Sequence, residues 1–256
     1  GYRFYAERVL RLPAAPEPRS ALPATAGPRS AADRGVLLHA LLERLDFRRP
    51  LVPTADAVLA AAILAGLSPR PGPAEADELA GLIRGFAGSE LAARLARADE
   101  IRREERFAFT LGPDPGHPLV VGAIDVLARE PGGCFLIVDY KSDRIAGVAP
   151  SAVVRELYTT QRLVYGLAAL RAGAAAVQVA HCFLERPDEP VIAAYERSDA
   201  PALQAQLRAL SEGVRKREFP VAPAPHRGLC AGCPAEGGLC SWPLQMTRRE
   251  SPDRLF

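Results

Sequence analysis

The stretch VVGAIDVLAREPGGCFLIVDYKS, residues 120–142, constrains the fold of this chain more than any other. Two runs rich in β-branched and apolar residues, 120–129 and 134–140, flank Pro131-Gly132-Gly133, which carries turn chemistry. The pattern predicts a β-hairpin. With those three residues as the loop, Glu130 faces Cys134, and Asp125 lies directly across from Asp139. Cross-strand neighbours have Cβ atoms about 5 Å apart, where like charges repel. Such a pair needs a proton or a cation between its members. Lys141 follows Asp139 by two residues and points to the same face. Two carboxylates and one ammonium on one sheet face make a site for a hard divalent metal and a polarised water.

The register carries that reading, because a loop one residue longer or shorter turns Asp125 to the other face. Asp and Lys are also common as solvated residues at strand ends. Composition favours function. Of the 32 basic residues only Lys141 and Lys216 are lysine. Arg is a permanently charged fork, whereas Lys is a point charge whose pKa can shift beside water or phosphate.

The rest of the chain supplies elements to pack around the hairpin. Residues 1–12 read as a short helix. Prolines at 13, 16, 18, 23 and 28 make 13–30 an extended linker. Ser30-Ala31-Ala32-Asp33 reads as a capping box opening a helix to Asp46. Leu38, Leu41, Leu42 and Leu45 form its core stripe, with His39 beside them. Helices are predicted over 55–65 and 74–99, then a strand over 102–111 holding Glu104 and Glu105, which alternation puts on opposite faces. After the hairpin come a helix over 151–172 ended by Gly173, strands over 176–185 and 190–195, and a helix over 201–218. Tyr158, Gln161 and Tyr165 share one helix face; aromatics at that spacing are usually core, and a buried Gln among them needs partners. The order implies an α/β (α+β) architecture, a mixed sheet flanked by helices.

No apolar run reaches the ~20 residues of a membrane span, and a net charge of +2 does not argue nucleic-acid binding by itself. Cys230, Cys233 and Cys240 form C-x2-C-x6-C in a polar, Gly/Pro-rich tail. Thiolates at this spacing suit an iron–sulfur cluster or zinc, and either needs a fourth ligand. Cys134 and Cys182 fall in predicted strands and read as buried apolar residues. The chain begins at Gly1 and holds one Met, Met246, so it reads as a segment of a longer polypeptide.

Gly122-Ala123-Ile124-Asp125 followed by Val138-Asp139-Tyr140-Lys141 resembles the D…(D/E)xK core of the PD-(D/E)xK nucleases. The GxID…DYK form is similar to the RecB-like branch, the nuclease domain of AddAB/RecBCD-type recombination machines. Gly35-Val36-Leu37-Leu38-His39 matches the family's G-x-x-x-H helix, Glu104 before Phe107 its Glu three residues ahead of a Phe, and Tyr158, Gln161 and Tyr165 its Y-x-x-Q-x-x-x-Y motif. Residues 1–5, GYRFY, and the three tail cysteines resemble its iron–sulfur branch, whose first cysteine would stand just upstream of Gly1.

The resemblance covers nearly the whole chain and implies one restriction-endonuclease-like nuclease domain over 1–256, with its core at 31–222 and a Cys-rich segment at 223–256. It implies a bacterial, cytoplasmic, DNA-associated exonuclease using Mg²⁺ or Mn²⁺. His39, Asp125, Asp139 and the Tyr140 backbone carbonyl would be metal ligands, with Glu104 a further candidate. Asp125, Asp139, Lys141, Gln161 and Tyr165 would be catalytic, and Tyr158, Gln161 and Tyr165 would orient single-stranded DNA. Cys230, Cys233 and Cys240 would bind a [4Fe–4S] cluster, with zinc the alternative. A helicase motor would lie in the same polypeptide or a partner subunit, since no G-x-x-x-x-G-K-[ST] occurs here. Two other readings stand beside this one: a non-catalytic DNA-binding or scaffolding module on a degenerate nuclease fold, and a zinc-ribbon interaction module fused to an unrelated enzyme.

Overall fold

The computed structural model describes residues 31–250, apart from 65, 67–70, 115, 146, 219, 232 and 236. The helix expected over 1–12, the linker over 13–30 and Ser30 of the capping box lie outside the described residues. Four helices come first: α1 (Ala31–Leu42), α2 (Ala55–Leu64), α3 (Pro73–Ala87) and α4 (Glu90–Arg97). The strands β1 (Glu100–Thr110), β2 (Leu119–Arg129) and β3 (Phe135–Lys141) follow. A short helix α5 (Pro150–Val153), a π turn (Val154–Tyr158) and α6 (Thr159–Arg171) lead to β4 (Ala176–Phe183) and β5 (Val191–Glu196). The chain continues through α7 (Ala200–Lys216), α8 (Arg227–Cys230) and α9 (Leu244–Thr247).

The five strands form one sheet in sequence order. All neighbours are antiparallel except β3 and β4, which are parallel and joined through α5 and α6. One face packs Val126, Ala128, Leu136, Val138, Tyr140, Ala180 and Cys182 against buried residues of α1–α4. The other packs Leu127, Ile137, Val177 and Val179 against Leu163, Leu167, Leu203 and Leu207 of α6 and α7. The result is the mixed sheet between helical layers that the order of elements implied.

The hairpin closes on the expected loop. Glu130 N–H donates to Cys134 O at 2.9 Å, Gly133 N–H to Glu130 O at 3.0 Å, and Gly132 and Gly133 take φ of 93° and 84°, which favours glycine. Cys134 therefore stands half-buried at the loop, just before β3, rather than in the core, while Cys182 is fully buried.

Two expected helices are interrupted. Residues 74–99 break at Gly88-Ser89, where Ser89 Oγ accepts from Ala92 N at 3.2 Å and donates to Phe86 O at 2.7 Å, capping α4 while ending α3. The helix expected over 151–172 carries the π turn. There Thr159 Oγ1 donates to Arg155 O at 2.8 Å, filling the widened turn before α6.

Candidate active site

Strand alternation changes sides in the middle of β1 and β2. Ile101 packs with the α1–α4 layer, whereas Phe107 and Phe109, also odd-numbered, pack with the α6–α7 layer. On β2, Val126 belongs to the first layer and Ile124 to the second. Glu104 lies between, in the left-handed region at φ 49°. An L-residue there costs about 1–2 kcal/mol. The ladder runs from Arg103↔Val126 to Glu105↔Ile124 and omits the step at Glu104 and Asp125. Both carboxylates leave the regular sheet at that break and meet His39 of α1. One ligand atom from each of His39, Glu104 and Asp125 lies within 4.8 Å of the other two.

Gly35 lets α1 come close enough: a Cβ there would stand 3.2 Å from Ser142 Oγ, just beyond β3. One turn later His39 Nδ1 lies 3.4 Å from Asp125 Oδ1. Gly122 accommodates the Phe107 ring, 2.6 Å from where its Cβ would be, so the GAID segment seats β1 as well as carrying Asp125.

Asp125 and Asp139 stand in the anticipated register but do not form a ladder pair. The β2–β3 ladder ends at Val126↔Val138. Beyond it the Asp125 side chain substitutes for a backbone partner, its Oδ2 accepting from Tyr140 N at 2.8 Å. Asp139 joins a separate buried group. Its Oδ1 accepts from Gln161 Nε2 at 3.1 Å and its Oδ2 lies 2.6 Å from Lys141 Nζ. The Tyr165 hydroxyl, 2.9 Å from Ala123 O and 3.3 Å from Asp139 Oδ1, shares its proton between them. Lys141 Nζ also donates to Gln161 Oε1 at 2.8 Å and sits 3.9 Å from the Tyr158 ring centre. Asp139 is 2% exposed and Lys141 8%, so this ion pair is shielded from solvent. The close Lys141 approach lacks hydrogen-bond alignment, and Asp139 Oδ2 has no hydrogen bond.

The charges are strained in a consistent direction. Burial, and then the Asp125 charge against the opposing pull of Lys141, keeps the Asp139 carboxyl up at about 6. Glu104 is raised by burial and then by Asp125. Burial alone would lower His39, but its hydrogen bond to Asp125 and the charges of Asp125, Asp139 and Glu104 raise it overall. Each group holds its proton more tightly than in water, as expected where like charges crowd without a cation.

An imidazole and two crowded carboxylates fit a hard divalent cation. The chain matches the family model for the PD-(D/E)XK nuclease superfamily over residues 1–237. The chain belongs to that superfamily. Similar curated proteins are two ATP-dependent helicase/nuclease subunits, one from Moorella thermoacetica, 31% identical over 139 residues, and one from Bacillus cereus, 28% identical over 155 residues. Those matches cover 50% and 54% of this chain but only 10% and 12% of the relatives. Among solved structures, a chain from Eubacterium rectale provisionally assigned as an exonuclease overlaps 77% of this chain and 71% of its own, at TM-score 0.40 and 10% identity. An overlap at that score carries no argument about the site.

Among the described residues, His39, Glu104 and Asp125 are the only three or more His, Cys, Asp or Glu whose ligand atoms lie within 4.8 Å of one another. Cys230, Cys233 and Cys240 are free thiols around α8 and do not form so compact a set. The Cys233 N–H donates to Cys230 O at 3.0 Å. Residues 1–5, expected beside them, lie outside the described residues. Glu105 pairs with Arg102 at 3.3 Å and is not one of the His39–Glu104–Asp125 group.

Sequence reasoning missed His181. It stands on β4 directly opposite Asp139, fully buried, with neither ring nitrogen hydrogen-bonded. Burial, then Lys141 and Arg162, brings its pKa down to about 3, so the ring is neutral. Its only signal was a polar residue within the apolar run of a predicted strand. No helix among the described residues is long and apolar enough to cross a membrane.

Proposed function

We propose that the chain is a Mg²⁺- or Mn²⁺-dependent deoxyribonuclease domain acting as an exonuclease on single-stranded DNA. A helicase motor, in the same polypeptide or in a partner subunit, would deliver the strand. One observation carries the reading: Asp125 of the His39–Glu104–Asp125 group stands, just past the end of the β2–β3 ladder, across from the buried Asp139–Lys141 pair. Superfamily membership and the likeness to helicase/nuclease subunits support it.

His39, Asp125 and Asp139, with Glu104 and the Tyr140 carbonyl as further candidates, would hold the ion. The ion would supply Lewis-acid stabilisation of charge on the phosphodiester and a more acidic water. Asp125 is oriented by the Tyr140 N–H, which leaves its Oδ1 toward His39. Lys141 carries three donors; with Asp139 and Gln161 on one side, it keeps a donor for the attacking water or a phosphoryl oxygen. Tyr165 and Gln161 fix the Asp139 carboxylate plane, and Gln161 couples it to Lys141. The low exposure of this pair makes the ammonium more effective at a developing negative charge than it would be in water.

The same reading gives Cys230, Cys233 and Cys240 to a [4Fe–4S] cluster completed by a fourth ligand from elsewhere, with zinc as the alternative. Three free thiols in a short, turn-rich segment support it. Iron analysis and visible absorption of anaerobically purified protein separate the two metals.

The deciding experiment follows Mg²⁺-dependent degradation of end-labelled single-stranded DNA by the wild type beside Lys141→Ala. Stepwise loss from one end in the wild type, absent in the variant, supports the proposal. DNA binding without cleavage at any metal concentration would instead favour a scaffolding module.

A further inference from the structure

Two oxygens hold the Lys141 ammonium from the sheet and from α6, but a four-carbon stem pinned only at these points can still swing. The remaining contact is aromatic. Lys141 Nζ lies 3.9 Å from the Tyr158 ring centre. The Tyr158 ring stacks on His181, with centroids 5.8 Å apart and planes at 27°, and touches Phe183 at 6.4 Å. Its hydroxyl donates to Asp143 Oδ2 at 2.8 Å. The π turn ends on this residue, at φ −117° and ψ 5°, before α6 resumes, so the widened turn determines where the ring lands. Tyr158 thus has its hydroxyl engaged and its ring against an ammonium, which leaves it poorly placed to stack on a nucleotide.

We infer that Tyr158 is a positioning residue for Lys141, its ring forming a wall that His181 backs and Asp143 anchors, rather than a surface that binds DNA. The role given to Lys141 rests on the nuclease reading; its placement does not. A cation over an aromatic face is attracted by the ring quadrupole, and the attraction grows as water is excluded. His181 suits the backing position because it lies beside Asp139 in the sheet and offers a flat ring free of hydrogen bonds.

The composition provides the probe. With only two lysines, ¹³C-lysine labelling gives one signal set for Lys141 and one for Lys216, which is exposed at the end of α7 and serves as the reference. In metal-free protein the Lys141 ε-methylene signals are expected upfield of those of Lys216, through the ring current of Tyr158. Tyr158→Phe, which loses only the Asp143 anchor, keeps most of the shift, and Tyr158→Leu abolishes it. Should Tyr158→Leu fail to fold, His181→Leu, which removes the backing ring, reduces the same shift, while His181→Phe preserves it. On single-stranded DNA, Tyr158→Leu lowers kcat about tenfold with KM nearly unchanged, and Tyr158→Phe restores kcat. Lys141 signals that ignore Tyr158→Leu overturn the inference. So does a raised KM at unchanged kcat, which would make Tyr158 a DNA contact. If the wild type cleaves no DNA, the nuclease reading fails, and the Lys141 signals still decide the inference.

Discussion

Asp125 and Asp139 stand across from each other, one step beyond the end of the β2–β3 ladder, yet their surroundings are opposite. Asp139 is sealed in, with Lys141 against one oxygen and Gln161 and Tyr165 on the other. Asp125 faces a half-exposed imidazole and a second carboxylate held on strained backbone. The first group carries its own counter-charge within hydrogen-bond reach; in the second a weak base lies against two acids, with the Arg106 charge acting on Glu104 from further off. In the closed half, burial makes an interaction strong and breaking it costly. The open half crowds its acids in a way that a bound cation would relieve. On the proposed reading, such a site would keep its ammonium fixed while its ion comes and goes.

The largest expected effect is on the open half. Asp125→Ala should remove the Mn²⁺ binding heat seen by calorimetry and lower cleavage about a thousandfold, while the Lys141 signals stay near their wild-type position. Loss of both would mean that the two halves are one unit.

Lys141→Arg is expected to lower cleavage about a hundredfold, because the charge survives but the fork does not fit between Asp139, Gln161 and the Tyr158 ring. Metal affinity should change little. Wild-type turnover in this variant would show that the closed half is structural.

The two halves also predict a pH dependence. Asp139, Glu104 and His39 all have raised pKa values in the metal-free fold. A raised group stabilises the fold below its unfolded pKa, and that contribution is lost as pH rises through the folded value, about 6 for Asp139. Metal binding requires the deprotonated forms. The rise in Tm on adding Mn²⁺ should therefore be small at pH 5 and grow toward pH 8. A Mn²⁺ shift that is flat or falls with pH would contradict the shared crowding. His39→Gln removes one titrating group and should make the rise shallower.

The smallest effects compare neighbours. Glu104→Gln should weaken Mn²⁺ binding about tenfold, whereas Glu105→Gln, which loses only an exposed contact to Arg102, should leave affinity unchanged and stability within about 0.5 kcal/mol. Equal effects would place Glu104 outside the site.

Much of the fold was legible because its signals are local. Pro131-Gly132-Gly133 defined the loop, and the loop defined the register, which the ladder from Val126↔Val138 to Arg129↔Phe135 follows. The break at Gly88-Ser89 was also written locally, in a Gly beside a Ser, but an Ala/Leu-rich surround concealed it. The π turn had no such signal, since Val154–Tyr158 contains nothing that departs from a regular helix. The candidate site divides in the same way. Gly35 and His39 could be paired from spacing on one helix, and Asp139 with Lys141 from spacing on one strand. His181 could not be placed beside Asp139 without the parallel crossover that brings β4 to β3.

By itself the sequence determined which residues could share a strand or a helix turn, because 2.0- and 3.6-residue periodicities depend only on the local backbone. It did not determine which acid meets which partner. The side change at Glu104, the end of the ladder before Asp125 and Asp139, and the approach of α1 over Gly35 decided that. Each is a departure from regular geometry that only packing between distant segments can hold in place, since alone it would cost energy and relax.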